Sequence, residues 1–181
     1  MKSNLLFAAL LVVFTLSGSI GAAYGPIYMN YEGIDGDVTA QGHEKWIELS
    51  SLQFKVGREI SVPTPANPER EASAPSVSEI VVTKVMDRSS VPLFMEALIG
   101  HPKEVMIHFV ETAKNKQELY YTIELENTLI SGYSISSGGD RPTESVSMSF
   151  TKISKQYTPF DKKGVPEPPF RGSYDLTTGQ Q

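Results

Sequence analysis

The sequence predicts an all-β protein: a β-barrel of mostly antiparallel strands with one short flanking α-helix and a long extended loop. Short segments rich in Val, Ile, Tyr, Phe and Thr are separated by Gly, Pro, Asn and Asp, the punctuation of strands and turns. Two of these segments alternate apolar and polar residues, as strands with one buried face do. A single stretch, around Leu93, carries helical spacing instead. At 181 residues the chain suits one domain with a sizeable core.

The first strand is expected over 27–31, closed by the turn-rich Glu32-Gly33 and Asp35-Gly36-Asp37. The segment 46–60 follows, alternating through Ile47 and Leu49 and then, in shifted phase, through Leu52, Phe54 and Val56. A phase slip at Ser50-Ser51 is what a β-bulge produces, bending a strand as a barrel requires. Segments 80–86 and 105–110 are apolar on both faces, so their outer faces need cover from a helix, a loop or a neighbouring subunit.

Leu93, Phe94, Ala97 and Leu98 recur at helical spacing, with Pro92 in the first turn and Gly100 and Pro102 at the end. A helix of about ten residues is unstable alone and must pack on the barrel. Farther on, Leu119, Tyr121, Ile123 and Leu125 alternate with Tyr120, Thr122, Glu124 and Glu126. Val146, Met148 and Phe150 alternate likewise with serines. Residues 24–158 form the expected barrel domain, and 159–181 a loosely ordered tail with a short terminal strand at 173–176.

The least barrel-like segment is 58–78, whose Pro63, Pro65, Pro68 and Pro75 argue against a central strand. Loops of this length are either solvated or functional, and the functional reading is an arm that grips a neighbouring subunit. The N-terminus also stands apart. Lys2 is its only charge before Glu32, residues 5–16 are apolar except Thr15, and Gly21-Ala22-Ala23 fits cleavage after Ala23. Twelve residues fall short of the roughly 20 that a spanning helix needs, so 1–23 reads as a secretory signal, and the mature chain is expected to make no stable membrane insertion.

Composition and motifs argue against chemistry. A net charge of −5, with no Lys or Arg run longer than two, supplies no basic stripe for nucleic acid. With no cysteine there is no disulfide, thiolate nucleophile or Cys-ligated zinc. His43, His101 and His108 share no metal-binding spacing, and no nucleophile-elbow motif occurs. Glu124 and Glu126 share one strand face, which suits a solvated surface better than a glycosidase pair. Asp35-Gly36-Asp37 lacks the further acids of a calcium loop. The Gly-rich string at 136–145 opens a strand rather than a helix, so it reads as a tight loop and not a phosphate cradle. No enzyme activity, cofactor or metal is expected.

Three blocks, IYMNYEGIDGDVTAQGHEKWIELSS, REASAPSVSEIVVTKVMDRSS and LISGYSISSGGDRPTESVSMSFTKI, closely resemble in order the Hcp family of bacterial type VI secretion systems. The resemblance spans 27–157, with a weaker match at Ser173-Tyr174-Asp175-Leu176. It implies a barrel with one flanking helix, a homohexameric ring, and rings stacked into a hollow tube inside a contractile sheath. It further implies a VgrG spike protein at the tip, sheath proteins around the tube, small effectors in the lumen, and no catalytic residues. By position it makes Arg58, Glu59, Arg70 and Glu71, in the long loop, candidates for contact with adjacent subunits. Gly138, Gly139, Asp140 and Arg141 match a signature loop with a structural role.

One feature departs from the family. Typical members begin near Tyr24 and are loaded from the cytoplasm, whereas a secretory signal would route this chain through the periplasm. The expected location is secreted or extracellular, with passage through the periplasm if the leader acts as a signal. The alternative to a tube subunit is a secreted β-barrel binding module or adhesin that keeps the fold without the assembly.

Overall fold

The computed structural model describes residues 23–63, 69, 72–113 and 116–180. The leader before Ala23, the loop positions 64–68, and Arg70 and Glu71 lie outside the described residues. In chain order the elements are β1 (Ala23–Tyr31), β2 (Ile47–Leu49), β3 (Ser51–Gln53), β4 (Val56–Gly57), β5 (Ser76–Val77), β6 (Ile80–Val85), α1 (Ser90–Ile99), β7 (Lys103–Ala113), β8 (Lys116–Ser136), β9 (Thr143–Ser149), β10 (Lys152–Tyr157) and β11 (Phe170–Asp175). The fold is thus mostly antiparallel β with one short helix, as the alternation and the single helical stretch predicted.

The hydrogen-bonded path runs β2-β1-β7-β8-β9-β6-β3, with β10 and β11 branching from β8. The expected barrel is not closed by a ladder, because the end strands β2 and β3 do not pair with each other. They are consecutive in the chain, and Ser50 alone joins them. β2 pairs with β1, β3 pairs with β6, and the Ser50 N–H donates to the Thr83 carbonyl at 2.7 Å. The phase slip at Ser50-Ser51 is therefore a change of partner strand rather than a bulge within one strand.

β8 makes the other corner. Its first half lies between β7 and β10, and its second half pairs with β9. Asn127, at φ 53°, stands at the change. Asparagine enters this left-handed region more readily than most residues. One residue in that conformation shifts the alternation: Ile123 and Leu125 point inward before it, Thr128 and Ile130 after it. Leu119, expected on the buried face, is exposed because the β7–β8 hairpin there outruns β10, which reaches only Tyr121.

The core is continuous. Met29, Ile47, Ile80, Val82, Ile107, Leu125, Val146 and Met148 have no solvent exposure. Each such aliphatic side chain contributes roughly 1.5–3 kcal/mol by burial. The helix ends at Gly100, whose φ of 75° lets its N–H return to the Glu96 carbonyl at 2.8 Å. α1 packs against β8, with Leu93 buried in the core and Phe94 against Tyr133 at 5.8 Å between ring centroids. Leu98 was expected in the packed stripe but is 67% exposed, because the barrel takes up only the Leu93 side of so short a helix.

Candidate assembly interface

The histidines do not build a reactive centre. His101 sits at the helix end beside Glu96. His43 and His108 meet, Nε2 to Nδ1, at 2.9 Å. Trp46 and Tyr28 pack on them, with ring centroids 4.6 Å (Trp46–His108) and 4.7 Å (Tyr28–His43) apart. Burial lowers the pKa of His43 against the pull of Glu44. Burial, helped by His43, pushes His108 down to about 4. Both rings are therefore neutral near pH 7, and they pin the 35–46 loop onto β1 and β7. Among the described residues no group of three or more His, Cys, Asp or Glu could hold a metal ion. The separation of 65 positions between the two histidines left the pairing without any local sequence signal.

That loop also explains its own glycine. The Gly36 N–H donates to the Lys45 carbonyl at 2.6 Å. A Cβ on Gly36 would stand 2.2 Å from the Trp46 carbonyl oxygen, so no larger residue fits without moving backbone.

A second polar cluster lies inside the wall. Lys84 Nζ contacts Glu144 Oε2 at 2.6 Å and Asp87 Oδ1 at 2.8 Å, and the Lys84 and Glu144 side chains are wholly buried. Tyr133 donates to Glu144 Oε1 at 2.6 Å, and Ser90 donates to Oε2 at 2.9 Å. Burial would raise the Asp87 pKa, but hydrogen bonds from Lys84 and Ser89 outweigh it and hold it below the ordinary value. Burial, with the Glu144 bond and charge, raises Tyr133 far above its usual range. The cluster ties β6, β9 and β8 to the first turn of α1. Its chemistry is that of a structural lock: Lys84 stands between both carboxylates, and the Lys84 and Glu144 side chains are shut off from solvent.

The long loop is a projecting two-stranded arm. β4 pairs with β5, Glu59 and Ser73 exchange hydrogen bonds, and Ile60 bridges Ala72. Pro75, which has no N–H to give a ladder, immediately precedes β5. Phe54, Val56, Arg58, Pro75 and Val77 line a groove against β10–β11, while Lys55, Gly57, Glu59, Ser73, Ser76 and Ser78 line a separate hollow. Val56, Ile60 and Val62 are exposed, Val62 at 82%. The sequence candidates Arg58 and Glu59 both stand on this arm near its base. In the signature loop, Gly138, Gly139, Asp140 and Arg141 are all exposed, Gly139 takes φ 113°, and the Ser137 hydroxyl donates to the Asp140 carbonyl. Arg141 reaches a surface hollow that it shares with Asp37, Glu48 and Asp87.

No helix among the described residues is long and apolar enough to cross a membrane. The family model described as "Type VI secretion system effector, Hcp" matches residues 28–157. No curated protein matches the sequence. Among solved structures, one described as a type six secretion system protein aligns with a TM-score of 0.79 at 23% identity, over 87% of this chain and 99% of that one. Hcp1 from Salmonella typhimurium aligns with a TM-score of 0.68 at 21% identity, over 86% and 97%. The secreted protein Hcp3 from Pseudomonas aeruginosa aligns with a TM-score of 0.58 at 22% identity, over 83% and 99%. The structural matches carry the fold, and the family match spans well over half of the chain. The chain therefore belongs to the Hcp family of type VI secretion proteins, whose members are structural tube components rather than enzymes.

Proposed function

We propose that this chain is a ring-forming subunit of the type VI secretion tube. Six copies join side by side, rings stack into a hollow cylinder within the sheath, and the cylinder leaves behind a VgrG spike with small effectors in its lumen. The observation that carries this reading is the arm. Its Val56, Ile60 and Val62 face solvent in a lone chain. Apolar residues on a projecting hairpin are what an interface covers. Arg58 and Glu59, with Arg70 and Glu71 of the same loop sequence, give the contact polar groups for pairing. Because arm and barrel wall are different patches, the contact is head-to-tail and closes only as a ring.

Light scattering coupled to size exclusion on the chain from Tyr24 to Gln181 tests the reading. A hexamer is expected. A monomer at every concentration overturns it and moves the secreted binding module to first place. The leader is read in the same way, as an export signal removed after Ala23. N-terminal sequencing of protein from native cells is expected to begin at Tyr24, and an intact Met1 in the exported protein overturns this.

A further inference from the structure

β11 pairs only with β10 and leaves one sheet edge open. Two bonds at its end fix the alternation of its backbone. The Leu176 N–H donates to the Thr151 carbonyl at 2.8 Å, on the β10 side. The Asp175 N–H donates to the Gln180 carbonyl at 2.9 Å, on the open side. In an antiparallel ladder the N–H and C=O of one residue point the same way, and successive residues point opposite ways. Tyr174, Gly172 and Phe170 therefore face their partners Ile153, Lys155 and Tyr157, whereas Ser173 and Arg171 turn their backbone groups outward. The turn at 175–180 takes up Asp175, since Gly179 donates to its carbonyl. Among the described residues nothing takes up the outward groups of Ser173 and Arg171, which stand in the register that an added strand needs.

The face of this edge toward the arm has room for side chains. Gly172 lies opposite Lys155, and a Cβ placed on it would meet nothing within 4 Å. That gap opens into the groove at the base of the arm, about 620 Å³ in volume, walled by Phe54, Pro75, Val77, Ile153 and Tyr174. Lys155 Nζ lies 4.0 Å from the centre of the Phe54 ring, and Arg58 borders the groove from the arm. Among the described residues no carboxylate lines the groove, and neither cation is ion-paired. Burial lowers the Lys155 pKa, as for a cation that has given up water without gaining a counter-charge. Arg171 is turned away, its Nε donating to Gln156 at 2.7 Å on the other face of the ladder. A second β11 on this edge would bring no acid, since Arg171 is the sole charge between Phe170 and Tyr174. The edge suits a strand, and the groove suits a carboxylate next to an apolar side chain.

We propose that β11 takes an extended acidic peptide segment of another protein as an added strand. The segment's backbone pairs with Ser173 and Arg171. A glutamate beside Gly172 reaches across the place of the missing side chain to Lys155, whose strand lies two spacings away, about 10 Å. Residues two apart share one face of a strand, so an apolar residue two positions along lies against Tyr174 and the arm-base wall. The contact goes beyond the ring-subunit reading and does not rest on it.

The probe is the peptide Thr-Thr-Glu-Thr-Val-Thr-Thr, with a fluorophore at its N-terminus and an amide at its C-terminus. It is titrated with the full-length protein by fluorescence anisotropy, and hydrogen exchange over 170–175 is read by mass spectrometry. Saturable binding with slowed exchange over 170–175 is expected. Lysine in place of the peptide's glutamate is expected to weaken binding by ~tenfold or more, the effect of losing one partly desolvated charge pair. Proline in place of its central threonine removes a backbone donor and is expected to weaken binding as well. Gly172→Val fills the gap with a residue that suits a strand and has an unobstructed Cβ, so it is expected to keep the fold and lose ~tenfold or more in affinity. No saturable binding overturns the proposal, as does equal binding of the two charge forms of the peptide or full affinity in Gly172→Val. Protection of 170–175 that appears on self-association without peptide assigns this edge to a second copy; it overturns the proposal and leaves the ring reading standing.

Discussion

Removing Lys84 is expected to cost more stability than removing its partner Glu144, because the buried cluster is lopsided. Lys84 contacts two carboxylates, Glu144 at 2.6 Å and Asp87 at 2.8 Å. In Lys84→Met, Glu144 is left fully buried with only the Tyr133 and Ser90 hydroxyls as donors, and Asp87 loses its counter-charge as well. Stranding a buried charge costs about 3–5 kcal/mol, and that is the expected loss. In Glu144→Gln the lysine keeps Asp87, so about 1–3 kcal/mol is expected, the range for one buried polar group losing a partner. The double variant Lys84→Met with Glu144→Gln leaves no stranded charge in that pair. It should lie above the sum of its parts by roughly 1–3 kcal/mol of coupling. Denaturant unfolding of the full chain gives all three values, provided protomer concentration is held fixed, since assembly would stabilise the folded state by mass action. Equal losses for the two single variants, or a loss under about 1 kcal/mol for Lys84→Met, would refute the idea that this lysine neutralises the cluster.

Two further outcomes follow from the sites described above. The depressed pKa values of His43 and His108 mean that the unfolded chain binds protons first, near the ordinary histidine value. Their contribution is fully present above about pH 6.5 and is lost as pH falls toward about 4, by ~1–2 kcal/mol once solvent screening of the half-buried His108 is allowed for. Unfolding midpoints measured from neutral to mildly acidic pH should show this slope in the wild type and a shallower one in His108→Gln; identical slopes would count against the histidine pair as its source. Gly36→Ala should destabilise by about 1–3 kcal/mol, the usual cost of forcing extra atoms into packed structure, since its Cβ would meet the Trp46 carbonyl at 2.2 Å. A melting temperature unchanged by this substitution would show that the loop gives way easily.

Local features of the fold were legible because their causes are local. Pro92, Gly100 and Pro102 bound the helix within a few residues of its ends, and the serines alternating with Val146, Met148 and Phe150 orient β9 unaided. Ser50-Ser51 announced a bend, but which strand lay on each side depended on residues such as Thr83 far along the chain. The Lys84–Glu144 lock did leave a trace. Lys84 falls in phase with Ile80 and Val82, and Glu144 with Val146 and Met148, so each charge occupies an inward position of its strand. Reading them as a pair required the β6–β9 register, which sets Lys84 directly opposite Glu144. Asn127 carried a similar trace, a phase change in the apolar pattern beside a residue tolerant of positive φ. The arm was legible as a proline-rich loop but not as a paired hairpin, because two-residue strands fall below any period that can be counted. Its candidates Arg70 and Glu71 lie outside the described residues.

The junction at Ser50 gives the barrel wall an uneven mechanical character. Around most of the circumference, adjacent strands are held by rows of hydrogen bonds, and pulling the wall outward would shear or unzip them. At Ser50 the hoop is continuous peptide backbone, flanked by the short ladders β1–β2 and β3–β6, each of three residue pairs. Outward load therefore concentrates on those two ladders, which yield before the longer β7–β8 and β8–β9 ladders do. When they yield the wall parts along one line yet stays tethered through the chain, and the separated edges remain close enough to rejoin in register. A subunit built this way absorbs radial strain at a single seam and keeps the rest of its cross-section intact.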